Sequence, residues 1–286
     1  MGAKTWKGTT GDYGLASNWL EASIPIAADD VRLPAGAGKI SSGFDQSTVA
    51  IASFIANEGY AASVGLSTAS LRIKLAAGGT FDWSGAGQSY LEVASTATDV
   101  DATIRNTAPG SIGEFGLYLD SSDFNVCSIM KGKVSIASRS GKSGKATSTR
   151  VLGGSCTMGD SVTSKSTNGL ITVDVEKGNL TTWCPLTNVQ VYGGNCTIEG
   201  KTTAATVSTV LSYSGGIAVL NTVGLISSAI VSRGGVLDFT KTGVERTLTT
   251  LQLGTGGKVR WNKEKVTYTT LSFALPDFAE LSYRSL

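Results

Sequence analysis

The sequence contains no histidine. General bases, nucleophile partners and metal ligands of that type are therefore excluded, which leaves open the chemistry of paired carboxylates, as in glycoside hydrolysis. The candidate acids are Asp29 with Asp30, Asp99 with Asp101, Asp120 with Asp123, and Asp238. Asp29 and Asp30 are adjacent, and neighbours on a strand point to opposite faces, so they make a poor pair. Asp99 and Asp101 could share a face, but that spacing is commonplace in a Ser/Thr-rich stretch. No catalytic residue follows from these positions, and a protein that is not an enzyme is expected.

The four cysteines, Cys127, Cys156, Cys184 and Cys196, form no Cys-x-x-Cys pair, and without histidine they complete no mixed metal site. They read as small core residues, and neither metal nor cofactor is expected. Cys156 and Cys196 fall at equivalent places in two repeats, where they could stack and a disulfide is compatible but not required.

Between Lys131 and Arg150 the chain carries six basic residues and no acidic one. Its centre, Ser138 to Lys145, reads as a loop projecting from the body. Gly141-Lys142-Ser143 looks like the end of a phosphate-binding loop, but Ile136 stands where that motif needs its first glycine. Two readings remain, a solvated loop and a contact of Lys142 and Lys145 with an acidic partner surface. No aromatic residues interleave, so base stacking is not supported. A net charge of +2 gives no footprint for nucleic acid or an acidic membrane. No apolar run is long enough to span a bilayer, and the N-terminus lacks the apolar stretch of a signal peptide, so assembly in a cytoplasm is expected.

The elements that must position these residues are strands. Gly numbers 36 and Pro only 5 in 286 residues, with 16% charged residues, a composition suited to many short strands and tight turns. Glycine pairs end at Gly154, Gly194, Gly216, Gly235 and Gly257, each between two β-like runs, and single glycines recur at Gly132 and Gly178. The mean step is about 21 residues, a period that fits one coil of a solenoid and is too short for a propeller blade. The expected fold is therefore all-β, a single-stranded β-solenoid (β-helix) with glycines at its corners; the alternative is a β-sandwich with Gly-rich hairpins. Outward Thr runs such as Thr247 to Thr250 invite carbohydrate or ice binding, yet the outer positions read as irregular, mixing Lys, Glu, Tyr and Asn. No flat repetitive ligand surface is expected.

Residues 1–36 hold two of the five tryptophans, Trp6 and Trp19, and read as an arm or cap ahead of a solenoid over 37–275. Residues 276–286 read as a C-terminal cap or tail.

Thr5-Trp6-Lys7-Gly8, Gly11-Asp12, Ala16-Ser17-Asn18-Trp19, Pro25 and Asp29-Asp30-Val31-Arg32-Leu33 resemble an element that opens many bacterial and phage β-helix proteins, autotransporter-like passengers among them. With Phe44-Asp45-Gln46-Ser47 and Gly234-Gly235-Val236-Leu237-Asp238-Phe239, the chain is similar to head decoration, or cement, proteins of tailed bacteriophages. The resemblance implies a structural protein on the capsid exterior of a virion. It would bind the major capsid protein as a homotrimer and lock neighbouring capsomers, with no nucleic acid or membrane as partner. Trp6, Tyr13 and Trp19 would either dock on the capsid or pack the cap. Deleting residues 1–20 would then abolish attachment and leave the solenoid folded. The runner-up is a tail-fibre or adhesin module that binds surface polysaccharide; a third is a surface-displayed passenger fragment.

Overall fold

Alternation of apolar and polar residues makes the strands. Lys133 to Ser138, for example, buries every second side chain against the core and turns the others outward. The computed structural model describes residues 2–95, 100–107, 113–120, 123–138, 144–159, 170–200, 206–241, 245–261 and 266–273. In chain order the strands begin with β1 (Ala3–Thr5), β2 (Asp30–Leu33), β3 (Asp45–Ala56), β4 (Leu71–Trp83), β5 (Ser89–Ser95), β6 (Val100–Arg105) and β7 (Glu114–Leu119). They continue with β8 (Asp123–Lys131), β9 (Lys133–Ser138), β10 (Lys145–Val151), β11 (Ser155–Met158), β12 (Leu170–Val175), β13 (Asn179–Thr182) and β14 (Leu186–Val191). The last are β15 (Asn195–Gly200), β16 (Val207–Ser212), β17 (Ile217–Thr222), β18 (Ile226–Val231), β19 (Val236–Phe239), β20 (Arg246–Leu253), β21 (Lys258–Trp261) and β22 (Val266–Phe273).

From β5 onward each strand pairs with its second neighbour, always in parallel. The even-numbered strands stack up one side, and the odd-numbered strands stack up the other. Lower down, β3 and β4 are long enough to bend round a corner and serve both sides. This is a parallel β-solenoid with a coil of about 22 residues, and it excludes the sandwich. Inward columns form its core: Val173, Val189, Val210, Ala229 and Leu251 are register partners on successive rungs, each wholly buried. The longer lower coils hold larger side chains, with Phe54 stacked on Phe81 at 5.9 Å and Trp83 tilted against Phe115 at 4.7 Å.

The recurring glycines sit where even strands pass to odd ones, a corner of one to four residues from β8 upward. In the upper coils the two glycines of a pair have separate roles. Gly234 takes the left-handed conformation, with φ at +81°. Gly235 lies so close to the coil below that a Cβ would come within 2.2 Å of the Ser212 carbonyl oxygen. The return connection varies more, from three residues between β13 and β14 to eleven between β11 and β12. Variation in coil length therefore falls mainly on this second edge. Here Arg246, wholly buried, donates to the carbonyls of Leu220 at 2.5 Å and Lys241 at 2.6 Å, pinning the start of β20 to β17.

The first 36 residues are no arm. β1 pairs with β2 and β2 with β3, so they form the lowest rungs of the even side. Of the two roles expected for this segment, the structure shows a cap continuous with the sheet. Deleting residues 1–20 would remove β1 and expose the core beneath, so the expectation of an intact solenoid is corrected. Residues 276–286, and with them the expected C-terminal cap or tail, lie outside the described residues.

Cys156 and Cys196 are not rung neighbours either, because Leu180 pairs with both and stands between them. No disulfide joins the four cysteines, and all four side chains are buried. Burial pushes those of Cys127 and Cys196 up to about 12. The expected result with a thiol reagent near neutral pH is no modification of the folded chain and four modified thiols after denaturation. Rapid labelling without denaturant would contradict this packing.

Candidate functional site

The aromatic residues expected to anchor a partner are interior. Trp6, Tyr13 and Trp19 are 1%, 2% and 0% exposed, with ring centroids 4.8–5.9 Å apart. Trp6 Nε1 donates to the Gly38 carbonyl at 2.8 Å and Trp19 Nε1 to that of Tyr13 at 3.1 Å. Asn18 ties the loop together by donating to Thr10 Oγ1 and the Asp12 carbonyl. The opening element is thus a plug for the end of the core, and direct docking by these rings is corrected to support. What the plug turns outward includes four aliphatics: Leu15, Leu20, Ile24 and Ile26 are 45%, 62%, 40% and 60% exposed, all on the one stretch that joins β1 to β2.

The candidate acids are separated and mostly engaged in holding the chain. Asp29 is buried and accepts from the backbone N–H groups of Gly2 and Ile26, with Lys4 4.0 Å away. Asp30 accepts from Ser53 Oγ at 2.6 Å. Asp101 accepts from Asn125 Nδ2 and the Val126 N–H, and Asp238 from Thr240, with Arg260 3.7 Å away. Asp99 lies outside the described residues, as does the side chain of Asp123, so neither expected pair is brought together in the described part.

Rung stacking does assemble one charged cluster that sequence spacing hid. Arg72 donates to Asp45 at 3.0 Å, Glu92 at 2.9 Å and Asp120 at 3.1 Å, acids 20 to 48 residues away along the chain. Burial works against the guanidinium charge, but the Glu92 and Asp120 hydrogen bonds outweigh it and raise the Arg72 pKa. Arg72 thus ties its own rung, β4, to three others, β3, β5 and the end of β7. Arg72→Ala is expected to cost about 1–3 kcal/mol by leaving the buried Glu92 and Asp120 without that donor, and Arg72→Lys to restore only part, lacking the fork. Thermal unfolding of the three proteins checks the order.

Of the basic segment, Lys142 lies outside the described residues, and Lys145 opens β10 at the longer edge, its side chain also outside them. A contact with an acidic partner therefore stays as first stated, without structural detail.

The most regular surface is the outside of the upper even strands. Ser148, Thr172, Asn188, Thr209, Ser228, Thr250 and Thr270 are register partners up seven consecutive rungs. Beside them Thr187, Ser208, Ser227, Thr249 and Thr269 are all exposed. On the other flank Gln190, Leu211, Ile230, Gln252 and Ser272 form a third column. From β14 to β22 this face turns no charged side chain outward; Arg246 begins β20 but is buried. Charges resume below, at Arg150, Asp174 and Glu176. The flat repetitive surface not expected from the sequence is present. Its signal was the quartet of one apolar, two polar and one apolar residue, as in Leu186 to Val189, Val207 to Val210, Ile226 to Ala229 and Leu248 to Leu251. Two consecutive residues face out there, which simple alternation does not anticipate.

No protein family, curated protein or solved structure matches this chain. Two surfaces distinguish the rod, the aliphatic stretch between β1 and β2 and the uncharged upper face.

Proposed function

We propose that this chain is a structural attachment protein, the head decoration or cement protein of a tailed phage that its opening element resembles. It stands on the major capsid protein by its base, as a homotrimer on the virion exterior, and acts by buried area and not by chemistry. The observation that carries this reading is the exposed set Leu15, Leu20, Ile24 and Ile26 on a rigid aromatic plug. A cluster of exposed aliphatics marks an interaction surface, and the buried rings beneath fix its shape. The partner residues of the notional interface are therefore aliphatic, with Trp6, Tyr13 and Trp19 as their scaffold.

The test is a Leu20→Asp/Ile26→Asp variant, both changes at exposed positions. Particles from cells carrying the wild-type gene should bear the protein on their heads by immunogold microscopy, and the variant should be folded yet absent from them. Wild-type protein found on tails, on the cell surface or only free in solution would refute the reading, as would a variant that still decorates heads.

A further inference from the structure

We infer that the uncharged upper face, on the outer side of β14, β16, β18, β20 and β22, is a binding site for a neutral polysaccharide. The proposal goes beyond attachment by the base and does not depend on it, since the two surfaces are distinct.

Four observations select this ligand. The face is free of outward charge over five rungs in a chain with 16% charged residues, so its partner is recognised without ion pairs. Apart from the half-buried Leu211 and Ile230, its central groups are hydroxyls and amides, which both donate and accept, the same repertoire that a sugar presents. Among the described residues, the hydroxyls of Thr187, Ser208, Ser227, Thr249 and Thr269 make no hydrogen bond within the chain, which leaves them available. At the glycine corner, Tyr192 and Tyr213 stand edge to face with centroids 4.4 Å apart, adding half-buried aromatic surface of the kind sugar C–H groups pack on.

Size argues against a second copy of the chain as the occupant. Five strands about 4.8 Å apart and six residues of about 3.3 Å give a patch of roughly 500 Å². A stable pair of protein surfaces needs about 800 Å² from each partner. A linear glycan, by contrast, gains from rungs that repeat the same polar groups at a fixed spacing.

The purified chain is run in native gels containing cellulose derivatives, dextran, mannan or galactan, with heparin and polygalacturonate as acidic counterparts. At least one neutral polymer should retard it equally at low and high salt, because no charge on the face is there to be screened. Thr209→Lys/Thr250→Lys should weaken that retardation by about tenfold or more, with circular dichroism and melting temperature close to wild type. Should that pair disturb folding, Ser227→Lys, at a fully exposed position, replaces it. Retardation by no neutral polymer would overturn the proposal, and so would binding confined to acidic polymers and lost in salt. A lysine variant that still binds would overturn it, as would a wild-type oligomer that the variant converts to monomer, or ice-growth inhibition without sugar binding.

Discussion

Trp19→Ala is expected to lower the unfolding free energy by about 3–5 kcal/mol, the range for deleting a large buried aromatic. The ring is wholly buried, meets both Trp6 and Tyr13, and closes the end of the inward columns. Its loss both leaves a cavity and unseats the lowest rungs, because Leu20 hydrogen-bonds the Thr5 carbonyl and so ties the Trp19 loop to β1. The uncapped sheet then presents unpaired backbone groups to other chains. Urea titration followed by tryptophan fluorescence should show an earlier midpoint, and light scattering should show association near it. A midpoint unchanged within error would mean that the plug is an appendage and not the floor of the core.

Gly235→Ala is expected to be more damaging than Gly234→Ala at the adjacent residue. At Gly235 the added methyl would lie 2.2 Å from the Ser212 carbonyl oxygen and 2.5 Å from the Tyr213 nitrogen, both backbone of the coil below. The coils must separate locally, with an overpacking cost of about 1–3 kcal/mol or more and loss of the rung hydrogen bonds around it. At Gly234 there is room, its nearest neighbour being 3.8 Å away, and only the left-handed backbone opposes the change, by about 1–2 kcal/mol. Arg233 already tolerates such a conformation, with φ at +48°. Thermal melts of the two variants decide the point. If Gly234→Ala proved the worse, turn conformation and not close stacking would be what makes glycine necessary at this corner.

The coil itself was legible because each rung needs the same corner, and the corner needs glycine. The single glycine at Gly178 was part of that count, and it places Leu180 between Cys156 and Cys196, which is why those thiols do not meet. The plug was legible as an end piece, but a tryptophan's identity does not say whether it faces a core or a partner. The exposed Leu15, Leu20, Ile24 and Ile26, less conspicuous in the sequence, hold the surface that the aromatics support. The Arg72 cluster was hidden because its members come together only through the register of β3, β4, β5 and β7. The uncharged face was hidden for a related reason: steps between its rungs vary with the longer connections, so Thr and Ser residues that align in space fall at uneven intervals along the chain.

The central claim is that successive coils stack in register, so that Ser148, Asn188 and Thr270 lie on one column up one side of the rod. Spin labels at cysteines introduced at Asn188 and Thr270, four rungs apart, should give a narrow distance distribution near 19 Å, and labels at Ser148 and Thr270, six rungs apart, one near 29 Å, at about 4.8 Å per rung. Distances that fail to grow in proportion to the number of intervening rungs would contradict the stacking, and with it the face built upon it.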